Sequence, residues 1–177
     1  MSTDLSLRTL DALDTRARIG QLADLLLDCV EGGASVSFML PMARDTALRF
    51  WQGVADGLER GERTLIVAED GGGIAGAVQL VTDMPENQPH RADVAKLLVH
   101  RRARGAGIGR RLMEAVEAAA REQGRRVLVL DTANSTAERL YERLGWQRVG
   151  VVPEYAYMPD GALCSTTFFY KALSAPA

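Results

Sequence analysis

The order of apolar and polar positions predicts alternating strands and helices. Leu5 to Thr9 alternates in the two-residue rhythm of a strand with one buried face. After Asp14, a candidate N-cap, Ile19, Leu22, Leu26 and Cys29 recur at helical spacing until Gly32-Gly33 stops them. A second helical stripe of Leu48, Trp51, Ala55 and Leu58 ends at Gly61. Thr64 to Glu69 and Ile74 to Val81 flank Asp70-Gly71-Gly72, which is a hairpin signal. Thr82 to His90 is a polar, proline-containing loop, and Ala92 to His100 reads as a further strand. Gly107 to Gln123 is helical and closes at Gly124, while Val127 to Asp131 is a short apolar run of the kind buried inside a sheet. Ser135 to Leu144 is helical with Gly145 as its stop, and two last strands run about Gln147 to Val152 and Ser165 to Lys171. The expected order is βααβββαβαββ, a mixed α/β sheet.

One connection departs from ordinary loop chemistry. EGGASVSFML, Glu31 to Leu40, links two helices, yet its small residues lead into Val36, Phe38, Met39 and Leu40. Such a segment either plugs the core or lies against a ligand.

The 177 residues suffice for one domain over 1–177, and no repeat or linker divides them. A net charge of −2 weakens any case for a polyanion partner, so neither nucleic acid nor an anionic membrane is expected. No apolar run approaches the roughly 18 residues of a membrane span and no apolar leader opens the chain, which points to a soluble cytoplasmic protein. Cys29 and Cys164 form no CxxC pair and are expected as buried free thiols; His90 and His100 have no partner at metal-ligand spacing. No metal is expected. Trp51 and Trp146 suit core or rim positions.

The chemistry concentrates in LLVHRRARGAGIGRRLM, Leu97 to Met113: a strand, a basic glycine-rich turn, then an amphipathic helix. Gly105, Gly107 and Gly109 let backbone N–H groups converge at the positive end of the helix, a setting that suits a pyrophosphate. Arg101, Arg102, Arg104, Arg110 and Arg111 add positive field. A P-loop would need Lys and then Ser or Thr after Gly109, where Arg110 and Arg111 stand. A dinucleotide fingerprint fits Asp131 at the end of the next strand, but its third glycine would fall at Arg110. The pattern [QR]-x-x-G-x-[GA] is satisfied by Arg104, Gly107 and Gly109.

That turn resembles the acetyl-CoA site of the GNAT superfamily of N-acetyltransferases. NSTAERLYERLGW, Asn134 to Trp146, is similar to the family's N-x-x-A-x-x-x-Y-x-x-x-G-[FW] helix. EGGASVSFM, RADVAKLLVHRRARGAGIGRRLMEAVE and the stretch from Leu130 to Leu173 further resemble the tabtoxin resistance protein type within that superfamily. The resemblance implies a mostly antiparallel central sheet flanked by helices, acetyl-CoA as cofactor, and direct transfer to an amine in a ternary complex. The acceptor it suggests is a small amine such as a tabtoxinine-β-lactam-like toxin, hence a role in toxin resistance. A homodimer is allowed for. Two other readings stay open: a protein lysine or N-terminal acetyltransferase, and a non-catalytic acyl-CoA-binding sensor.

Acetyl transfer sets requirements that single out residues. An alkyl amine with a pKa near 10 is protonated in roughly 99.9% of molecules at neutral pH, so a base must remove a proton. In family members with a glutamate base that residue stands eleven positions before the [QR], which is Asp93 here; by strand alternation Asp93, Ala95, Leu97 and Val99 share one face. A water relay would then bridge Asp93 to the amine. A salt bridge to Arg91 or Lys96 is its plain alternative. Asp131, at the end of an apolar strand that splays from its neighbour in such a sheet, would hold the ammonium group or be the base itself. Asp131 as a helix cap is the competing reading, weakened by Asn134 and Ser135 nearby. Tyr141 would protonate the departing thiolate, unless its face with Ala137, Leu140 and Leu144 only packs.

Backbone N–H groups at Leu97, Leu98 and Val99 would serve the carbonyl oxygen and pantetheine, with Arg104, Gly105, Ala106, Gly107, Ile108, Gly109, Arg110 and Asn134 completing the cofactor site. Ser35, Val36 and Phe38, together with Asp131 and Tyr155, would contact the acceptor, Phe38 shielding the thioester from water.

Overall fold

A computed structural model describes residues 5–173. Its elements run β1 (Ser6–Leu10), α1 (Ala12–Ala17), α2 (Ile19–Glu31), α3 (Arg44–Glu59), β2 (Arg63–Asp70), β3 (Gly73–Val81) and β4 (Arg91–Val99). A 3₁₀ turn (Arg101–Ala103) follows, then α4 (Ile108–Glu122), β5 (Val127–Thr132), α5 (Ser135–Arg143), β6 (Gln147–Tyr157) and β7 (Leu163–Ala172). Among the described residues seven strands form one sheet in the order β1-β2-β3-β4-β5-β7-β6, antiparallel except where β4 meets β5. The mixed, mostly antiparallel expectation holds.

The helical segment expected as one unit is two. Asp11, not Asp14, caps α1: its carboxylate accepts the Asp14 N–H at 2.7 Å. The chain leaves helical geometry at Arg18 (φ −111°, ψ 12°), whose guanidinium turns to Glu69, and resumes as α2.

Two apolar clusters sandwich the sheet. Leu22, Leu26, Val30, Trp51 and Val54 of α2 and α3 pack on one face with Leu65, Val67, Ala77 and Leu98. On the other, Ile108, Leu112, Met113 and Val116 of α4 join Ala92, Val94, Leu128, Tyr141, Trp146 and Phe169. Cys29 is buried as expected, but Cys164 is only half-buried.

Alternation along β4 does not survive to its end. Lys96 has φ 52°, and the pairing with β3 shifts between Ala77 and Gln79. A bulge of this kind inserts a residue and swaps the faces beyond it. Leu98 therefore joins the α2–α3 cluster, while Leu97 and Val99 pack with Ala92 and Val94 against the other. Asp93 does not share a face with Leu97 and Val99, contrary to the simple strand reading. The edge strand β6 also runs past its expected end, because Pro153 and Glu154 (φ 50°) are taken up in an irregularity between Val152 and Ala156.

Candidate active site

Parallel pairing of β4 with β5 covers Arg91↔Val127, Ala92↔Leu128 and Asp93↔Val129, then stops. Beyond it the strands diverge, leaving the facing edge of β4 without a strand partner. Two cavities occupy the split, and Ala34, Leu97, Asn134 and Ala137 line both. The larger, about 720 Å³, follows the basic turn; the smaller, about 480 Å³, opens towards the loop after α2 and the β6–β7 hairpin.

The larger cavity is lined by Leu97, Leu98, Val99, Arg104, Gly105, Gly107, Ile108, Gly109, Arg110 and Asn134, all expected from the sequence. Of the expected cofactor residues, Ala106 alone lies off this wall. Gly107 adopts φ 74° as the residue before α4, a left-handed conformation that glycine takes without a Cβ penalty. No side chain caps α4, whose first residues Ile108, Gly109 and Arg110 line the cavity, so its first N–H groups have no side-chain partner. An unpaired strand edge and an uncapped helix end fit the amides and pyrophosphate of acetyl-CoA.

Four of the five expected arginines divide into two sets, and Arg111 lines neither cavity. Arg101 reaches back to Asp28 at 2.9 Å and Arg102 to Asp70 at 2.6 Å, so these two tether the turn to α2 and to the β2–β3 hairpin. Arg104 and Arg110 line the cavity, joined by Arg143, which the sequence did not single out.

Asp131, Ser35, Val36 and Tyr141 all reach the smaller cavity. Asp131 Oδ2 accepts the Thr166 hydroxyl at 2.7 Å, and the cap of α5 is Asn134, whose side chain accepts from Thr136 and Ala137. Tyr141 is buried between Trp146 and Phe169, at ring distances of 6.0 and 5.7 Å. Burial, and secondarily the Asp131 charge, push its hydroxyl pKa well above the ordinary tyrosine value, so it stays protonated.

Besides Ala106, three expected site residues lie elsewhere. Asp93 lines neither cavity; its carboxylate is ion-paired with Arg91, the plain alternative. Phe38 turns from the cleft onto Phe50, with ring centroids 5.3 Å apart, and so plugs the α2–α3 core. Tyr155 packs edge-on against Phe168 at 5.7 Å, and Met158 of the same hairpin reaches the cavity instead. The sequence reading also passed over Lys96 and Ser37, whose side chains meet at 3.0 Å in the smaller cavity. A lysine set between Ala95 and Leu97, in the apolar half of β4, was the available signal. No cluster of metal-ligating side chains occurs among the described residues, and no described helix is long and apolar enough to cross a membrane.

Comparison with known proteins identifies the family. The acetyltransferase (GNAT) domain model matches residues 61–148. An uncharacterized N-acetyltransferase encoded in the hisH–hisA intergenic region of Azospirillum brasilense is 39% identical over 131 residues, 73% of this chain and 76% of that protein. The chain belongs to the GNAT superfamily of acetyl-CoA-dependent N-acetyltransferases. Solved GNAT structures share its fold at low identity. A phosphinothricin acetyltransferase from Sinorhizobium meliloti, in complex with AcCoA, superposes with TM-score 0.74 at 21% identity, over 96% of this chain and 88% of that one. A ribosomal-protein-alanine N-acetyltransferase from Brucella melitensis gives TM-score 0.77 at 23% identity, over 95% and 99%. These two proteins are named for different acceptors, so the shared fold does not fix the acceptor.

Proposed function

We propose that this GNAT protein transfers the acetyl group of acetyl-CoA directly to the amine of a small acceptor seated in the smaller cavity. The observation that carries this is the meeting of the two cavities at Leu97 and Asn134, with Asp131 and Tyr141 beside the junction. The cofactor side would be held by the β4 edge at Leu97, Leu98 and Val99 and by the turn from Arg104 to Arg110. Bound there, acetyl-CoA supplies an activated thioester. Around it Asp131 holds the ammonium group and accepts its proton, directly or through water. The N–H groups of the β4 edge donate to the carbonyl oxygen, and the Tyr141 O–H gives its proton to the departing sulfur. Asp93, tied to Arg91, keeps no part in this reading.

Resemblance of the sequence blocks to the tabtoxin resistance type supports an amino-acid-like toxin as acceptor, and so a resistance role in the cytoplasm. The similarity to the Brucella enzyme favours a second reading, a polypeptide N-terminus as acceptor. A sensor without turnover is opposed by Asp131 and Tyr141 standing together at the junction. A homodimer would cover apolar surface on the edge hairpin, where Val149, Tyr157 and Leu163 are exposed. The test is free-thiol release from acetyl-CoA across small amines and N-terminal peptides. Release with small amines is the expected result; tight CoA binding with no release for any acceptor overturns the enzyme reading.

A further inference from the structure

Among the described residues lining the smaller cavity two are charged, Lys96 and Asp131, and their signs are opposite. They stand on the two strands that part. The last parallel pair is Asp93 with Val129, so Lys96 lies three residues beyond the split and Asp131 two. At ~3.3 Å per residue both sit roughly 7–10 Å past it, on opposite lips at similar depth.

Neither makes an ion pair among the described residues, although the Asp131 charge reaches Lys96 across the cavity. Lys96 Nζ donates to Ser37 Oγ at 3.0 Å, and Asp131 Oδ2 accepts from Thr166 Oγ1 at 2.7 Å. Burial lowers the lysine pKa, with Asp131 pulling it back up, as expected for an ammonium short of an anionic partner. The backbone is held unfavourably on both sides of that contact: Lys96 has φ 52° and Ser37 φ 80°. Side chains with a Cβ rarely adopt such angles, and residues forced into them gather at ligand sites. The bulge that displaces Leu97 to Val99 also presents Lys96 to the cavity.

We propose that Lys96 and Asp131 clamp a zwitterion: the acceptor carries a carboxylate beside its reactive amine, as an α-amino acid does. Asp131 takes the ammonium end. Lys96 Nζ takes the carboxylate, helped by the Ser37 hydroxyl, whose own hydrogen is free while its oxygen accepts from lysine. The proposal rests on the transfer reading above and narrows its substrate class. It argues against a polypeptide N-terminus, which has an amide where the carboxylate would be.

The experiment uses the full chain and a panel of α-amino acids, each with its α-carboxamide. Binding is measured calorimetrically with CoA present, and kcat/KM by thiol release. Free acids should bind about 10–100-fold better than their carboxamides, the worth of one charge-assisted contact. Lys96→Asn removes the charge with a residue that tolerates left-handed backbone. It should erase that preference, while Lys96→Arg restores most of it. Equal binding of acids and carboxamides by the wild type, or no binding of either, overturns the clamp. An equal loss of turnover on both in Lys96→Asn also overturns it and assigns the lysine to proton removal. Preferential binding of acids without thiol release supports the clamp and removes the transfer reading instead.

Discussion

The two cavities share a wall at Leu97 and are made of different material. The side proposed for the cofactor offers mainly backbone, the open edge of β4 beyond Asp93, the left-handed Gly107 and the first N–H groups of α4, with Arg104, Arg110 and Arg143 beside it. Ligand chemistry there is repetitive, amides and phosphates, and most of the wall that would meet it lies between Leu97 and Arg110, with α5 and its cap adding Asn134 and Arg143. The smaller cavity, proposed for the acceptor, is assembled from side chains of distant segments. Ser35 and Ser37 come from the loop after α2, Lys96 from the bulge, Asp131 and Tyr141 from β5 and α5, and Met158 from the hairpin. Local rules can specify the first region, whereas the second exists only once the sheet has brought its segments together.

Substitutions sharpen this contrast if they separate the two sides. Asp131→Asn should have the largest effect, a fall in kcat/KM of about 10²–10⁴-fold, with acetyl-CoA affinity by calorimetry within about twofold of wild type. Unchanged kinetics would remove Asp131 from the chemistry. Tyr141→Phe should lower kcat about 10²-fold and leave the thermal midpoint nearly unchanged, because the ring still fills the space between Trp146 and Phe169. Its raised pKa means that the alkaline limb of the rate profile, followed to about pH 9.5, should not arise from this tyrosine. Gly107→Val addresses the other side. A β-branched residue at φ 74° meets a cost of about 1–2 kcal/mol, so acetyl-CoA should bind about tenfold more weakly while the acceptor KM stays put.

The same contrast explains what could be read from the chain. Element order, apart from the break between α1 and α2, and the stretch of the larger cavity from Leu97 to Arg110 were legible, because hydrophobic period, the spacing of Arg104, Gly107 and Gly109, and the cap of α5 are all local signals. The acceptor side was half legible. Ser35, Val36, Asp131 and Tyr141 reach it, and Phe38, Tyr155 and Asp93 do not. Two misses come from a contact with another segment, Phe50 capturing Phe38 and Phe168 capturing Tyr155, and the third from the bulge at Lys96, which broke the alternation that aligned Asp93 with Leu97. Phe38→Ala should accordingly act on stability. Loss of a half-buried ring packed on Phe50 should cost about 1–3 kcal/mol in denaturant unfolding, with acceptor preference unaltered.

Asp93→Asn carries the smallest expected effect and tests the division most sharply. Family spacing places a base at this position, whereas the structure turns its carboxylate to Arg91 and keeps it off both cavity walls. The side chain is 41% exposed, so the pair with Arg91 is screened by water and worth at most ~1 kcal/mol. Asparagine keeps the shape and removes the charge. If Asp131 alone serves the amine, kcat/KM should stay within about twofold across pH 6–9, and the double variant with Asp131→Asn should be no slower than Asp131→Asn alone. A further drop of tenfold or more in the double variant would mean that a relay crosses from Asp93 into the cleft. Asp93 would then serve the acceptor from outside its cavity, and the cavity walls would no longer delimit the site.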